Sequence, residues 1–360
     1  MNQNNNHIFA LIVCGGTGTR LWPKSQPNAP KQFLNIFGRD NLFQKTLKRT
    51  EQFIPLERIF FVTGRRYASN ILKSNTKIPP QNIICEPDKK HTAAAIALGA
   101  AKISHLDPEA TIINLWSDHL IKDTETFTKD LNLAGQIAQK GNQIVAVGIK
   151  PTFAHTGLGY IEVGNKIAPQ IYPVKSFCEK PDKKTAQKYL ESGRYYWNLG
   201  TYGWHNRLFW QELKKHSPEL FRQMEEIKKN LGTAQEWNTI SRVYEKIVPI
   251  SIDCAIAEKT DRMVMVEATF DWRDIGDWQA VWQESAKDNN GNAVLGNRYQ
   301  RFISIDTKNT LVYSNDKIIA VAGVENFIIV DTDKALLVCP QNQSQKVKEL
   351  VQLVDEKKHD

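Results

Sequence analysis

At 360 residues, 41% hydrophobic and 24% charged, the chain carries enough apolar material for one large globular domain and an appendage. Its five cysteines are scattered without a C-x-x-C pair, which argues against a disulfide framework or a zinc site. The formal net charge of +8 lies in dispersed doublets such as Arg65-Arg66 and Lys183-Lys184 rather than in a basic run, which points away from nucleic acid and toward small polyanions.

The polar leader 1–6 has no basic region, and the apolar run behind it is too short to span a membrane, so a cytoplasmic location is expected. That run, 8–13, is rich in β-branched residues and stops at glycines, as a buried strand does. Gly15, Gly16 and Gly18 follow, then Thr19, Arg20 and, further on, Lys31 within Pro30-Lys31-Gln32-Phe33. Glycines let backbone N–H groups approach an anion, arginine forks onto phosphate oxygens, and lysine supplies a mobile point charge. The stretch reads as a phosphate site. It is not a P-loop, because no Lys-Ser or Lys-Thr follows the glycines. Nor is it a dinucleotide fingerprint, because Leu21 stands where the last glycine belongs.

Further on, apolar runs at 59–62, 83–85, 111–116 and 143–147 alternate with helical stretches at 92–104, with Thr92 as N-cap, and 126–139. This rhythm predicts an α/β fold, a Rossmann-like mixed and mostly parallel sheet, with ligands beyond the carboxyl ends of its strands. Chemistry-bearing residues fall just there: Glu86-Pro87 after one strand, Ser117-Asp118-His119 after another. From the residues alone Glu86 reads as part of a loop leading to a capped helix, although a carboxylate at a strand end can also accept from N–H donors of a ligand. Asp118 can hold Mg²⁺, which takes one or two carboxylates beside phosphate oxygens and water, or cap the next helix. His119 reads as structural.

From residue 151 the texture changes. A glycine-opened stretch around Gly159, then Glu179-Lys180-Pro181, a helix over 182–193 and Asn198 offer groups suited to sugar hydroxyls and a sugar phosphate. Polar helices from Ser217, with Pro218 at the first helical position, run to 246 and carry no evident chemistry. Asp274 follows in a turn flanked by tryptophans, where either an Asx-turn or a second metal carboxylate is possible. Beyond residue 288 come short strands at 302–305, 311–313, 318–322, 327–330 and 336–339. An echo of Asp306-Thr307 in Asp331-Thr332 suggests stacked β coils, and a polar helix over 344–355 closes the chain.

The pattern G-G-x-G-x-R-L-W-P with P-K-Q-F resembles the sugar nucleotidylyltransferases, most closely the mannose-1-phosphate guanylyltransferases (GDP-mannose pyrophosphorylases). E-P, S-D-H, G-x-G-Y, F-x-E-K-P, W-N-x-G, S-I-D-x-A-I-x-E-K and W-x-D-x-G-x-W follow in the family's order. The chain departs from it at His91, Ala94 and Trp116, which stand for Asn, Pro and Pro. The resemblance implies transfer from GTP to α-D-mannose 1-phosphate, with Arg20, Lys31, Asp118 and Asp274 catalytic and Mg²⁺ on the two aspartates. It assigns nucleotide contacts to Gly15, Gly16, Gly18, Thr19, Glu86, Pro87, Thr92 and Ser117, and sugar-phosphate contacts to Gly159, Glu179, Lys180 and Asn198. It further implies a nucleotidyltransferase core over 1–288, with a nucleotide half at about 1–150 and a sugar-phosphate half at about 151–288. A small β-helix-like domain over 289–360 would join copies into a homo-oligomer, a dimer. No isomerase domain of the kind longer members carry is expected within these residues. The alternatives are the same chemistry on another nucleotide or sugar 1-phosphate, such as a heptose 1-phosphate, and a non-catalytic nucleotide-sugar-binding regulatory subunit.

Overall fold

The computed structural model describes residues 7–16, 18–296 and 302–357; the leader 1–6 and Thr17 of the glycine loop lie outside the described residues. The chain forms two compact units that do not follow sequence order. One comprises Met1–Gly15, Leu47–Ser117 and Ile121–Asp271; the other comprises Gly16–Thr46, Asp118–Leu120 and Trp272–Asp360.

The first unit is built on a nine-stranded sheet. Across it lie Ile83–Glu86, Ile59–Gly64, Ile8–Cys14, Thr111–Trp116, Tyr195–His205, Ile144–Ile149, Met263–Glu267, Ile171–Cys178 and Tyr160–Val163. Only Tyr195–His205 and Ile171–Cys178 run against the rest. Successive strand side chains point to opposite faces, so the Ile8–Cys14 strand serves two helices. Phe9, Leu11 and Val13 join the core that the alanine-rich helix His91–Leu106 completes. Gly99 makes this contact close: a Cβ there would lie 2.4 Å from a Leu11 methyl. On the other face Gly135, in the helix Thr124–Gln139, packs within van der Waals reach of Ile8 and Ile113.

The predicted N-cap role of Thr92 does not hold. The helix starts at His91 after Lys90, and the Thr92 hydroxyl accepts from the Ile252 backbone N–H at 2.8 Å. Ser217 does precede Pro218 at a helix start, but its hydroxyl donates to the Ala255 carbonyl rather than capping.

In the second unit, Ala293–Leu295, Leu311–Tyr313 and Phe327–Asp331 stack as parallel rungs, and Leu336–Pro340 closes the stack antiparallel. Phe302–Ile305 and Ile319–Ala322 form a second parallel pair. These are the expected β coils, but the Asp306/Asp331 echo is not their period. Leu311 lies on Ile328, and Leu336 belongs to the antiparallel closing strand. The true repeat is a left-handed asparagine two residues before the inward aliphatic: Asn309 before Leu311 and Asn326 before Ile328. The coil core of Ala293, Leu311, Tyr313, Ile328, Val330 and Leu337 also takes in Leu21, Leu34, Ile36, Ile275 and Trp278. The segment after the glycines is thus folded on the coils. Trp278 Nε1 donates to the Trp22 carbonyl at 2.8 Å, reinforcing this. No helix of the described residues is long and apolar enough to cross a membrane.

Candidate active site

Within the second unit, Lys31, Asp118 and Asp274 converge. The first lies in the helical turn Lys31–Phe33. Asp274 rides on a short antiparallel pair, opposite His119 with Arg273 opposite Leu120, and Asp118 is the turn residue just before the strand His119–Leu120. This fixes Asp118 and Asp274 side by side, although their sequence separation is large. Lys31 Nζ lies 2.8 Å from Asp118 Oδ2 and 3.5 Å from Asp274 Oδ1, and donates to the Ile275 carbonyl at 3.2 Å. Lys31 is only 8% exposed. Burial opposes its charge, but the two carboxylates outweigh this and raise its pKa. For Asp118 burial favours the neutral acid, and the Lys31 ammonium prevails, holding the carboxyl below its ordinary range. His119 stacks edge-to-face on Trp272 at 5.3 Å, as a structural residue would.

The glycine loop belongs to the same unit from Gly16 onward. Gly16 and Gly18 have positive φ, and a Cβ on Gly18 would fall 2.6 Å from Lys31 Cβ, so this glycine lets the lysine stem lie against the loop. Thr19 and the exposed Arg20 form the helical turn that buried Leu21 anchors. The two carboxylates are hard oxygen ligands of the kind a divalent cation takes when phosphate oxygens and waters complete its shell, and the Lys31 ammonium lies against both.

The remaining sequence-predicted residues lie in the first unit, in two groups with Gly15 and Ser117 apart from them. Gly159, Glu179, Lys180 and Asn198 form one. A Cβ on Gly159 would lie 2.8 Å from Glu179 Oε2, Asn198 N–H donates to the Gly159 carbonyl at 2.8 Å, and Lys180 pairs with Glu179 at 2.6 Å. Asn198 is set by a bulge: Ala146 pairs with Tyr202 and Gly148 with Asn198, so the longer strand bends there around left-handed Gly200. Asp253, inside the S-I-D-x-A-I-x-E-K stretch, and Tyr202 carry no expected role from the sequence, yet the fold joins them to Asn198. Asp253 Oδ1 accepts from Asn198 Nδ2 at 2.9 Å and from the Tyr202 hydroxyl at 2.6 Å. Burial raises the Asp253 carboxyl, with these hydrogen bonds opposing. Asp253 opens a π-helical turn, Asp253–Ala257, an irregularity that clusters at functional sites. The usable signal was a lone carboxylate in an otherwise apolar Ile252-Asp253-Cys254-Ala255 run.

Glu86, Pro87 and Thr92 form the second group, at the end of the Ile83–Glu86 strand and the start of the helix His91–Leu106. Burial pushes the Glu86 carboxyl up to about 7, against a hydrogen bond from the Tyr244 hydroxyl at 3.1 Å. Tyr244 sits in the helix Glu236–Lys246, so the helices read as chemically silent do contribute a polar contact. Gly15 is exposed after the first strand, and Ser117 is fully buried with no hydrogen-bond partner for its hydroxyl among the described residues.

The profile of the nucleotidyl transferase family matches residues 9–291, and that of the MannoseP isomerase/GMP-like beta-helix domain matches residues 300–353. A putative mannose-1-phosphate guanylyltransferase of Vibrio cholerae is 34% identical over 349 residues, spanning 96% of this chain and 74% of the relative. A mannose-1-phosphate guanylyltransferase of Klebsiella pneumoniae is 33% identical over 353 residues, 96% of this chain and 74% of its own. The crystal structure of mannose-1-phosphate geranyltransferase from Thermus thermophilus superposes with a TM-score of 0.86 at 29% identity, over 97% of this chain and 99% of that one. Profile and relatives agree: the chain is an enzyme and belongs to the mannose-1-phosphate guanylyltransferase family of nucleotidyl transferases.

Proposed function

We propose that the chain joins GTP and α-D-mannose 1-phosphate into GDP-mannose and pyrophosphate. The observation that carries this reading is the Lys31–Asp118–Asp274 cluster beside a loop bearing Arg20. A phosphate oxygen of the sugar attacks the α-phosphorus in line as the bond to the β-phosphate oxygen breaks, so no protein nucleophile is needed. Catalysis is then positioning and charge neutralisation. Arg20 and Lys31 hold the departing pyrophosphate, and the glycine loop, through Gly15, Gly16, Gly18 and Thr19, gives N–H groups to the triphosphate. Asp118 and Asp274 would hold Mg²⁺, which when bound neutralises charge shared between the nucleotide and the incoming phosphate. Glu86, with Pro87, Thr92 and Ser117, bounds the nucleotide pocket. Gly159, Glu179 and Asn198 meet sugar hydroxyls, and Lys180 reaches the sugar phosphate.

Exposed Ile303, Ile305, Leu336 and Val338 on the coil unit support homodimer formation there, which light scattering tests. Pyrophosphate release over a matrix of nucleotides and sugar 1-phosphates tests the substrates, with GTP and mannose 1-phosphate expected fastest. A faster pair would reassign them. Arg20→Ala should cost roughly 10²–10³ in turnover; near-normal turnover would remove Arg20 from the mechanism.

A further inference from the structure

An ammonium has three N–H bonds to give, and Lys31 gives all three inside the protein, to Asp118, Asp274 and the Ile275 carbonyl. Engaged in this way, it has none left for a phosphate oxygen. The ammonium holds Asp118 closely and the more exposed Asp274 loosely, and a divalent cation placed between them would meet a like charge a few ångströms away. Asp274 sits on a hydrogen-bonded strand pair and Asp118 immediately precedes its partner strand, so the backbone holds both carboxylates in place. The lysine is a charge on a four-carbon stem, and that stem lies against Gly18 of the glycine loop. That stem's torsions give Nζ freedom to move while the carboxylates stay in place.

We propose that Lys31 is an exchangeable counter-ion: in nucleotide-free protein it fills the place between Asp118 and Asp274 and suppresses divalent-cation binding, and a triphosphate in the glycine loop draws it out. The proposal rests on the reading of the two aspartates as the metal pair. It orders the events. Metal enters with or after the nucleotide, and Lys31 exchanges one anionic partner for another without ever being left unpaired in a buried place. A lysine serving only to hold the fold would have no reason to run its stem along the loop that takes the phosphates.

The test titrates full-length protein with Mn²⁺, free ion being read by electron paramagnetic resonance, in the absence of nucleotide. Lys31→Met and Lys31→Gln should bind Mn²⁺ roughly tenfold or more tightly than wild type, as expected when a like charge leaves a carboxylate pair. Equal affinity overturns the proposal. Lys31→Arg keeps the charge and should stay as weak as wild type; tight binding by this variant overturns the proposal even if the neutral variants do not fold. In thermal melts Mn²⁺ should raise the neutral variants' transition more than that of wild type, and equal gains count against the exchange. The underlying reading is checked separately by Asp118→Asn and Asp274→Asn with GTP present. Undiminished Mn²⁺ binding there would remove the aspartates as ligands, whatever Lys31 does.

Discussion

Glu86 ends a strand with the Tyr244 hydroxyl 3.1 Å from its carboxyl, and burial pushes its pKa up to about 7 from an ordinary 4.5. The folded protein therefore binds this proton more tightly than the unfolded chain does. The stability it contributes is complete below the unfolded value and is lost as pH rises through about 7. Glu86→Gln, neutral at every pH, should gain on wild type as pH rises, by up to about 3 kcal/mol near pH 8, with no gain near pH 4. Thermal melts of both proteins across that range check it; a pH-independent difference would mean that the carboxyl is not titrating in the fold. If Glu86 accepts from guanine as a carboxylate, the KM for GTP should also rise as pH falls below 7. Little of this was legible in the residues. Glu86-Pro87 marked a strand end, but Tyr244 lies 158 positions away and only the tertiary fold brings its hydroxyl to the carboxyl. Asp253 escaped for the same reason, its partners Asn198 and Tyr202 being more than 50 positions distant.

The loop and the lysine turn act together, and Gly18 is where they touch. Gly16 and Gly18 both have positive φ, which an alanine adopts at a cost of roughly 1–2 kcal/mol. They differ in surroundings: a Cβ on Gly16 meets open space, whereas one on Gly18 would meet the Lys31 stem. Gly16→Ala and Gly18→Ala should thus lose similar backbone stability, but only Gly18→Ala should displace Lys31, lowering kcat by a further tenfold or so. Melting temperatures and kcat measured side by side check this; equal kcat values would mean that the lysine stem yields without consequence. These elements were legible because their signals are local. Apolar runs ending at glycines marked the strands, and glycine, arginine and lysine in one stretch marked the loop against which the Lys31 stem lies. The coil period was misread because an Asp-Thr pair recurs by chance where the closing strand reverses, while the asparagine corners that set the rungs differ in every neighbour.

At the scale of the molecule, the chain order hides which parts fold together. The family profiles divide it near residue 291, yet the compact unit that contains the coils also contains Gly16–Thr46 and both metal-candidate aspartates. Leu21, Leu34, Ile36, Leu120, Ile275 and Trp278 are buried in one core with Ala293, Leu311, Tyr313, Ile328, Val330, Leu337 and Val347. Helix Val347–Glu356 also packs on the turn Thr19–Leu21. Burying one such aliphatic or aromatic side chain stabilises by roughly 1.5–3 kcal/mol. The coils' share is therefore comparable to the roughly 5–15 kcal/mol that holds a whole domain together. A chain ended at residue 288 keeps every strand of the nine-stranded sheet and the Asn198–Asp253–Tyr202 cluster, but strips the core from beneath Arg20, Lys31 and Asp274. It should keep far-ultraviolet circular dichroism typical of an α/β sheet and lose GTP binding by calorimetry altogether, rather than merely become monomeric. If this truncated chain bound GTP as the full chain does, the coils would be a device for assembly alone, and the glycine loop would owe its shape to the sheet.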